Sequence, residues 1–345
     1  MVNSQKSITI GGVQISPGQR QTIDLPVAKL YTHTEMTMPI HVVCGKRPGP
    51  TLFVSSAIHG DELNGVEIIR RLLKRKDLSR IHGILILIPI VNSFGFIHRD
   101  RYLPDRRDLN RSFPGSERGS LAGRIADLLL TEVISQSTHG IDLHTGSNHR
   151  FNLPQIRGFL DDEETASLAE AFGAPVMINS RLRDGSLREA VAEKNIPILL
   201  YEGGEAFRFN EFAIKVGYLG VVKVMRGIGM LPPQKTSKVR NVFRATASRW
   251  VRSPVSGILS NVVNVGKSVK KGDCLAVVSD PFGENEEVIR STFEGLVIAR
   301  SELPLAYEGD ALFHIATMDV DLPDDFNLES LVSGLNEDDF FPKTV

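Results

Sequence analysis

From residue 51 to residue 231, short unbroken apolar runs alternate with segments whose apolar residues recur every three to four positions. The runs TLFVSSAI, GILILIPIV, APVMINS and IPILLYEGG are strand-length and largely apolar at consecutive positions. That is the pattern of strands buried on both faces, as in a covered parallel sheet. HGIDLHTG reads as a shorter strand ending in a turn. Between these runs, LNGVEIIRRLLKRKDL sets Val66, Ile69, Leu72 and Leu73 at helical spacing. SLAGRIADLLLTEVISQ, ETASLAEAFG, SLREAVAEKN and EFAIKVGYLGVVKVMRGIGM predict further helices. The alternation predicts an α/β fold with a mixed, mostly parallel sheet flanked by helices. Ahead of it, residues 8–43 alternate weakly and predict short antiparallel strands, followed by a turn at KRPGP.

The pattern changes near residue 231. LPPQKTSKVRN reads as a linker rich in Pro and Lys. Residues 239–318 then carry short strand-like runs punctuated by Gly and Asp, the mark of an all-β unit. The expected organisation is an α/β domain at 1–232 with N-terminal strands, a second, smaller all-β domain at 239–318, and an acidic tail at 319–345. Within the second domain, SPVSGILSNVVNVGKSVKKGD and STFEGLVIARSELPLAYEGD echo one another. The echo resembles the two-fold quasi-repeat of a barrel-sandwich hybrid of the lipoyl or biotinyl type. No MKM-like hairpin with a modifiable Lys accompanies it, so a scaffold is expected and a carrier role is not.

Composition narrows the classes. With 41% hydrophobic and 23% charged residues the chain is ordinary for a globular protein. A formal net charge of −1 gives no general attraction to nucleic acid or to an anionic membrane. No apolar run approaches the ~20 residues of a membrane span, and the N-terminus lacks the apolar core of a signal peptide. Cys44 and Cys274 are far apart, so no disulfide framework is expected and a reducing cytoplasm fits.

The candidate chemistry begins at AIHGDELNG, between an apolar strand and a helical segment. A turn there calls for Gly and polar residues, but not for His and Glu in particular. His59 and Glu62 stand three residues apart, a spacing that lets two side chains converge on one point. Imidazole nitrogen and carboxylate oxygen suit Zn2+, and a catalytic zinc site takes three protein ligands. His144, at the exit of HGIDLHTG, offers the third, since open α/β sheets gather ligands at the carboxyl ends of their strands. Asp142, two residues earlier and so on the same face, is placed to orient it. Residues 93–119 are too long for an ordinary connection, and such loops are functional or disordered. Their DLNRSFPG offers Asn110 and Arg111 as donors for a carboxylate, against the plainer reading of a solvated turn. Glu202, in LLYEGGE, sits at another strand exit, where a carboxylate can take a proton from an activated water. Glu205 reads at least as well as a charged turn residue. His98 and His149 are the other histidines placed to neighbour a pocket.

The order HGDE, DLNR-x-FPG, DLHTG, YEGG closely resembles the succinylglutamate desuccinylase/aspartoacylase family, relatives of the zinc carboxypeptidases. The resemblance covers residues 39–232, with a β-rich domain in the usual place after them. It implies that 1–232 is a zinc-dependent deacylase domain with one Zn2+ per chain on His59, Glu62 and His144. It implies Asn110 and Arg111 as the grip on a substrate carboxylate and Glu202 as the general base. It also implies an Arg upstream of that pair to polarise the scissile carbonyl; Arg101 is chosen ahead of Arg99 and Arg107. The implied substrate is a small molecule, an anionic N-acyl amino acid or N-acyl amine, with neither nucleic acid nor membrane as partner. Family habit and exposed strand edges favour a homo-oligomer. Two other readings compete: a metallocarboxypeptidase acting on peptides, and a non-catalytic binding module on the same scaffold. The appended β domain opposes the first, because in the family it narrows the mouth of the site. Retention of every ligand and of the base opposes the second.

Overall fold

The computed structural model describes residues 4–234 and 242–318, so most of the predicted linker and the predicted acidic tail lie outside the described residues. The chain opens with a small ribbon, β1 (Ile8–Ile10) and β2 (Val13–Ile15), then β3 (Arg20–Lys29), β4 (Glu35–Cys44) and β5 (Arg47–Ser56). There follow α1 (Asn64–Leu73), β6 (His82–Ile88), α2 (Ser93–His98), α3 (Leu121–Glu132), β7 (His139–Gly146) and β8 (Arg150–Gly158). Next come α4 (Glu163–Phe172), β9 (Val176–Asn179), α5 (Leu187–Ala192), β10 (Ile198–Glu205) and α6 (Glu211–Gly227). After residue 242 the described chain forms strands only: β11 (Phe243–Arg252), β12 (Gly257–Ser260), β13 (Ser268–Val269) and β14 (Cys274–Ser279). It ends with β15 (Glu286–Arg290), β16 (Gly295–Ser301), β17 (Leu305–Ala306) and β18 (Ala311–Met318). Among the described residues, no helix is long and apolar enough to cross a membrane.

The main sheet is mixed. β6, β5, β7 and β10 are parallel neighbours in that order. β4 and β3 extend one side antiparallel, and β8 joins β10 antiparallel on the other. Alternate side chains of the central strands enter two separate cores. Leu52, Val54, Leu85, Leu87, Ile141 and Leu143 pack with α1, α4 and α6. Phe53, Ile84, Ile86 and Ile88 pack with α3, α5 and the N-terminal strands. Each fully buried Leu, Ile or Phe contributes about 1.5–3 kcal/mol over its exposed state, which explains the unbroken apolar runs.

Three local readings change. KRPGP is the start of β5 rather than a turn; Arg47 pairs with His82, and the ladder resumes only at Thr51. Pro48 and Pro50 have no N–H to give, which accounts for the interrupted pairing. RFNLPQIRG, where no strand was expected, is β8. Its polar Gln155 and Arg157 face the same way as apolar Leu153, so the run lacks the apolar signature of a covered strand. The long segment 93–119 is not one loop: it contains α2 and a short 3-10 turn at Leu109–Arg111.

The sheet also closes on itself. β8 pairs with β9, β9 with β11, β11 with β18, β18 with β16, and β16 returns to β8. Each strand of this five-membered ring contributes to one apolar cluster, built from Leu153, Val176, Ile178, Ala245, Leu296, Ile298 and Ala316. A ring this small is filled by its own side chains. It fastens the C-terminal strands to the α/β sheet by backbone hydrogen bonds as well as by packing. β12, β14, β15 and β17 form a separate four-stranded sheet.

His314, on β18, is buried and stacks on Trp250 of β11, with ring centroids 4.5 Å apart and 8° between planes. Burial, aided by the nearby charge of Arg157, pushes its pKa down to about 3 from 6.5. The unfolded chain therefore takes up this proton before the folded chain does. The stability carried by neutral His314 is complete above about pH 6.5 and is lost as pH falls toward 3. Urea unfolding at pH 7 and pH 5 should show a larger loss for the natural chain than for His314→Phe, which can stack but cannot titrate. Equal losses would mean that His314 accepts its proton freely in the fold.

Candidate metal centre and its cavity

β5, β7 and β10 end side by side, and their carboxyl ends form one crevice. Ser55 stands beside Asp142 in the ladder, and His144 beside Glu202. The loop leaving β5 carries His59 and Glu62 back over these ends. Gly60 allows that turn: a Cβ there would lie 1.9 Å from the carbonyl carbon of Gly95 in α2. In YEGG, Gly204 has φ +76°, and a Cβ on it would meet Asn64 at 2.4 Å. The expected turn is a register irregularity within β10, and that glycine serves it and the close packing.

Glu62 lies at the centre. Its Oε1 is 2.8 Å from His59 Nδ1, and its Oε2 is 2.9 Å from His144 Nδ1. The backbone N–H of Thr145 donates to Oε2 at 3.0 Å. Each imidazole is held from behind by an aspartate: His144 Nε2 lies 2.7 Å from Asp142, and His59 Nε2 lies 3.1 Å from Asp108. Asp142 in turn accepts from Ser55 Oγ at 2.7 Å. All three central side chains are buried. Burial opposes charge on each of them, yet the mutual field overrides it. The imidazoles hold Glu62 well below the ordinary carboxyl range, while Glu62 and the aspartates raise both histidines, His144 strongly.

This donor set fits a divalent cation. If each ring donates its Nε2–H to its aspartate, both Nδ1 lone pairs and the Glu62 oxygens face one another. Such crowding of acceptors is relieved either by extra protons or by one metal ion. The ligand atoms lie within 4.8 Å of one another, as a single ion requires. Nitrogen and carboxylate oxygen donors suit zinc, and an aspartate behind each histidine is the usual means of fixing tautomer and ring orientation.

The centre opens into a cavity of about 360 Å3. Arg101 reaches it from the segment after α2: Nη1 is 3.3 Å from Glu62 and Nη2 is 3.0 Å from Asp108. Asn110 and Arg111 line the wall. The Asn110 side-chain carbonyl accepts from the Leu187 N–H at the start of α5, which leaves its amide nitrogen as the donor to the cavity. Arg111 Nη1 donates to the Asn110 backbone carbonyl. Glu202 faces the same space, and Asn152 of β8 donates to its Oε2 at 2.6 Å. Burial raises the pKa of Glu202, against the pull of Arg157 and the two histidines. Trp250, the chain's only tryptophan, also lines the cavity, with the Arg150 guanidinium 5.1 Å from its ring centre.

The model of the succinylglutamate desuccinylase/aspartoacylase catalytic domain matches residues 48–228. The chain belongs to this family. It is similar to the N-alpha-acetyl-L-2,4-diaminobutyric acid deacetylase of Halomonas elongata, with 26% identity over 81% of this chain and 85% of the relative. In three dimensions it is similar to the product-bound ectoine utilization protein EutE (DoeB) from Ruegeria pomeroyi. That match has a TM-score of 0.78 and 25% identity over 86% of this chain and 95% of the other. A succinylglutamate desuccinylase/aspartoacylase from Rhodobacter sphaeroides shares the fold, with a TM-score of 0.78 and 23% identity over 87% of this chain and 96% of the other.

In this family member the seven residues singled out from the sequence (His59, Glu62, Arg101, Asn110, Arg111, His144 and Glu202) all line one cavity. His98 and His149 do not; His149 stacks on Phe207, 6.2 Å away, at the surface. Glu205 is paired with Arg208 at 3.2 Å. Sequence reasoning missed Asp108, although it opens the DLNR motif and its separation from His59 gives no local signal. It also missed Asn152, Arg157, Arg188 and Trp250, which line the cavity from β8, α5 and β11. The paired aspartates give a direct test. Asp108→Asn and Asp142→Asn should each weaken zinc binding about 10- to 100-fold in competition with a chromogenic chelator, with folding intact. Unchanged affinity in both would show that the histidines need no such support.

Proposed function

We propose that the chain is a zinc-dependent amidohydrolase that removes the acyl group from a small N-acyl amino acid, with one zinc ion per chain held by His59, Glu62 and His144. The observation that carries this reading is the convergence of two aspartate-backed imidazoles and one carboxylate at the strand ends, with Glu202 beside them. Family membership supports it, and so does a relative named as a deacetylase of an N-acetylated amino acid. A bound zinc ion would supply a Lewis acid for the acyl carbonyl and lower the pKa of an attacking water toward about 7.

The protein's own groups do the rest. Glu202 takes the proton from the attacking water and passes it to the departing amine nitrogen; its raised affinity for protons suits that exchange. Asn152 fixes the carboxylate orientation through Oε2, leaving Oε1 for the proton. Arg101, aimed by Glu62 and Asp108, stabilises negative charge growing on the acyl oxygen. Arg111 and the Asn110 amide hold the substrate carboxylate and thereby set the distance of attack. A cavity walled by Trp250 and Arg150 favours a small substrate over a peptide chain.

A panel of N-acyl amino acids, scored by amine release from zinc-loaded protein, tests the reading. Glu202→Gln should keep one zinc per chain and lose at least about 100-fold in kcat. His144→Ala should lose both metal and turnover. Substantial turnover by metal-free His144→Ala would refute the metal assignment, and full turnover by Glu202→Gln would place the base elsewhere.

A further inference from the structure

Phe207, just after β10, has a φ of +64°. For a bulky L-residue this left-handed conformation is an outlier, because Cβ crowds the backbone. Such strain persists only where the surroundings impose it, and it gathers at active sites and ligand clamps. The surroundings here are the loops of the candidate metal centre. The Phe207 N–H donates to the carbonyl of Asp61, next to Glu62, at 2.8 Å. The Ala206 N–H donates to the carbonyl of Gly146, two residues after His144, at 3.0 Å. Glycine would meet this double clasp without strain. Phenylalanine adds strain and returns little burial, since its side chain is 46% exposed. The core therefore gives no reason for an aromatic ring at this position.

The ring faces a partner at the edge of the cavity. It stacks on His149 with 28° between the planes. His149 follows Asn148 in the turn between β7 and β8, and both have positive φ, +54° and +53°. Ser147 and Arg150 bracket that turn, and both line the cavity. The stacked pair thus stands at the cavity mouth without being part of its lining. Two further apolar side chains are exposed close by in the chain: Phe209, and Leu303, whose neighbour Glu302 donates its N–H to the His149 carbonyl at 2.8 Å. Arg208, between the two phenylalanines, is paired with Glu205, so the loop's charges are matched locally. The cavity itself is lined by arginines, Asn110 and Glu202. A molecule that spans cavity and mouth is polar at one end and apolar at the other.

We propose that Phe207 and His149 form an apolar platform at the cavity mouth, which receives a hydrophobic group of the substrate. This inference rests on reading the cavity as an N-acyl amino acid hydrolase site. It names the substrate class: an N-acyl amino acid with one apolar group that extends out of the polar cavity. That group comes either from the amino-acid side chain or from the acyl chain. Its contact with a half-exposed ring removes apolar surface of both from water.

The test uses three compounds: N-acetyl-L-phenylalanine, N-hexanoyl-L-alanine and the control N-acetyl-L-alanine. The first two separate the sources of the apolar group. The natural chain should prefer at least one of them to the control. Phe207→Asn should lower that preference, taken as a ratio of kcat/KM values, about 5- to 30-fold, chiefly through KM. Phe207→Tyr keeps the ring face and should keep the preference. Phe207→Asn should also melt no lower than the natural chain, because asparagine enters the left-handed region more readily. A Phe207→Asn variant that melts lower and keeps the full preference would make Phe207 a packing residue and overturn the platform. Equal losses on all three compounds would overturn it too. An oligomer in sedimentation that Phe207→Asn dissolves, with the preference unchanged, would give this surface to a second copy instead.

Calorimetric titration of zinc-loaded Glu202→Gln protein separates the platform from the hydrolase reading. Tighter binding of an apolar compound than of the control, lost when Phe207→Asn is added, upholds the platform even if the natural chain hydrolyses nothing. Hydrolysis of all three compounds with equal kcat/KM removes the platform and leaves the hydrolase.

Discussion

A single buried carboxylate organises this molecule. Glu62 is taken out of water, at a cost that only close opposite charge and good hydrogen bonds can offset. His59, His144, the Thr145 N–H and Arg101 supply them. Each imidazole is pinned on its far side by an aspartate, and each aspartate is held in its turn, Asp142 by Ser55 and Asp108 by Arg101 and the Asn110 N–H. The result is a chain of alternating charges anchored on adjacent strands. No member can move without exposing its neighbour, so the donor atoms stay where an ion would need them.

The cavity beside that centre is built from two unlike parts of the chain. The parallel strands and the loop after β5 supply the candidate ligands and Glu202, because the carboxyl ends of those strands open on one crevice. The C-terminal strands supply a wall. They are joined to the sheet through β8 in a closed ring, and the wall stands close to the centre with Trp250 and the buried His314 layered beside Arg150. Arginines from the segment after α2, from β8 and from α5 give the cavity its positive character, although the chain as a whole carries a net charge of only −1.

Legibility differed between elements for physical reasons. Strands β5, β6 and β10 and helices α1, α3 and α6 could be read because burial on two faces, or on one helical stripe, leaves a periodic trace. Strand β8 left none: buried Gln155 and cavity-lining Arg157 sit at positions where a covered strand would show apolar residues. His59, Glu62 and His144 were readable as a candidate set because His59 and Glu62 follow a buried strand within a few residues and His144 lies near the end of another. Asp108, more than forty positions beyond His59, offered only its place in a motif.

By itself, the sequence determined the alternation of strands and helices, the change of pattern near residue 231, and the residue types capable of holding a metal at strand ends. These depend on local spacing, and local spacing is written along the chain. Only the tertiary structure decided which aspartate stands behind His59, that the sheet is mixed and closes into a ring, and that Arg157 of β8 and Arg188 of α5 reach the same cavity as His59, Glu62 and His144. Those relations arise from register between distant strands, which brings together side chains that no periodicity connects.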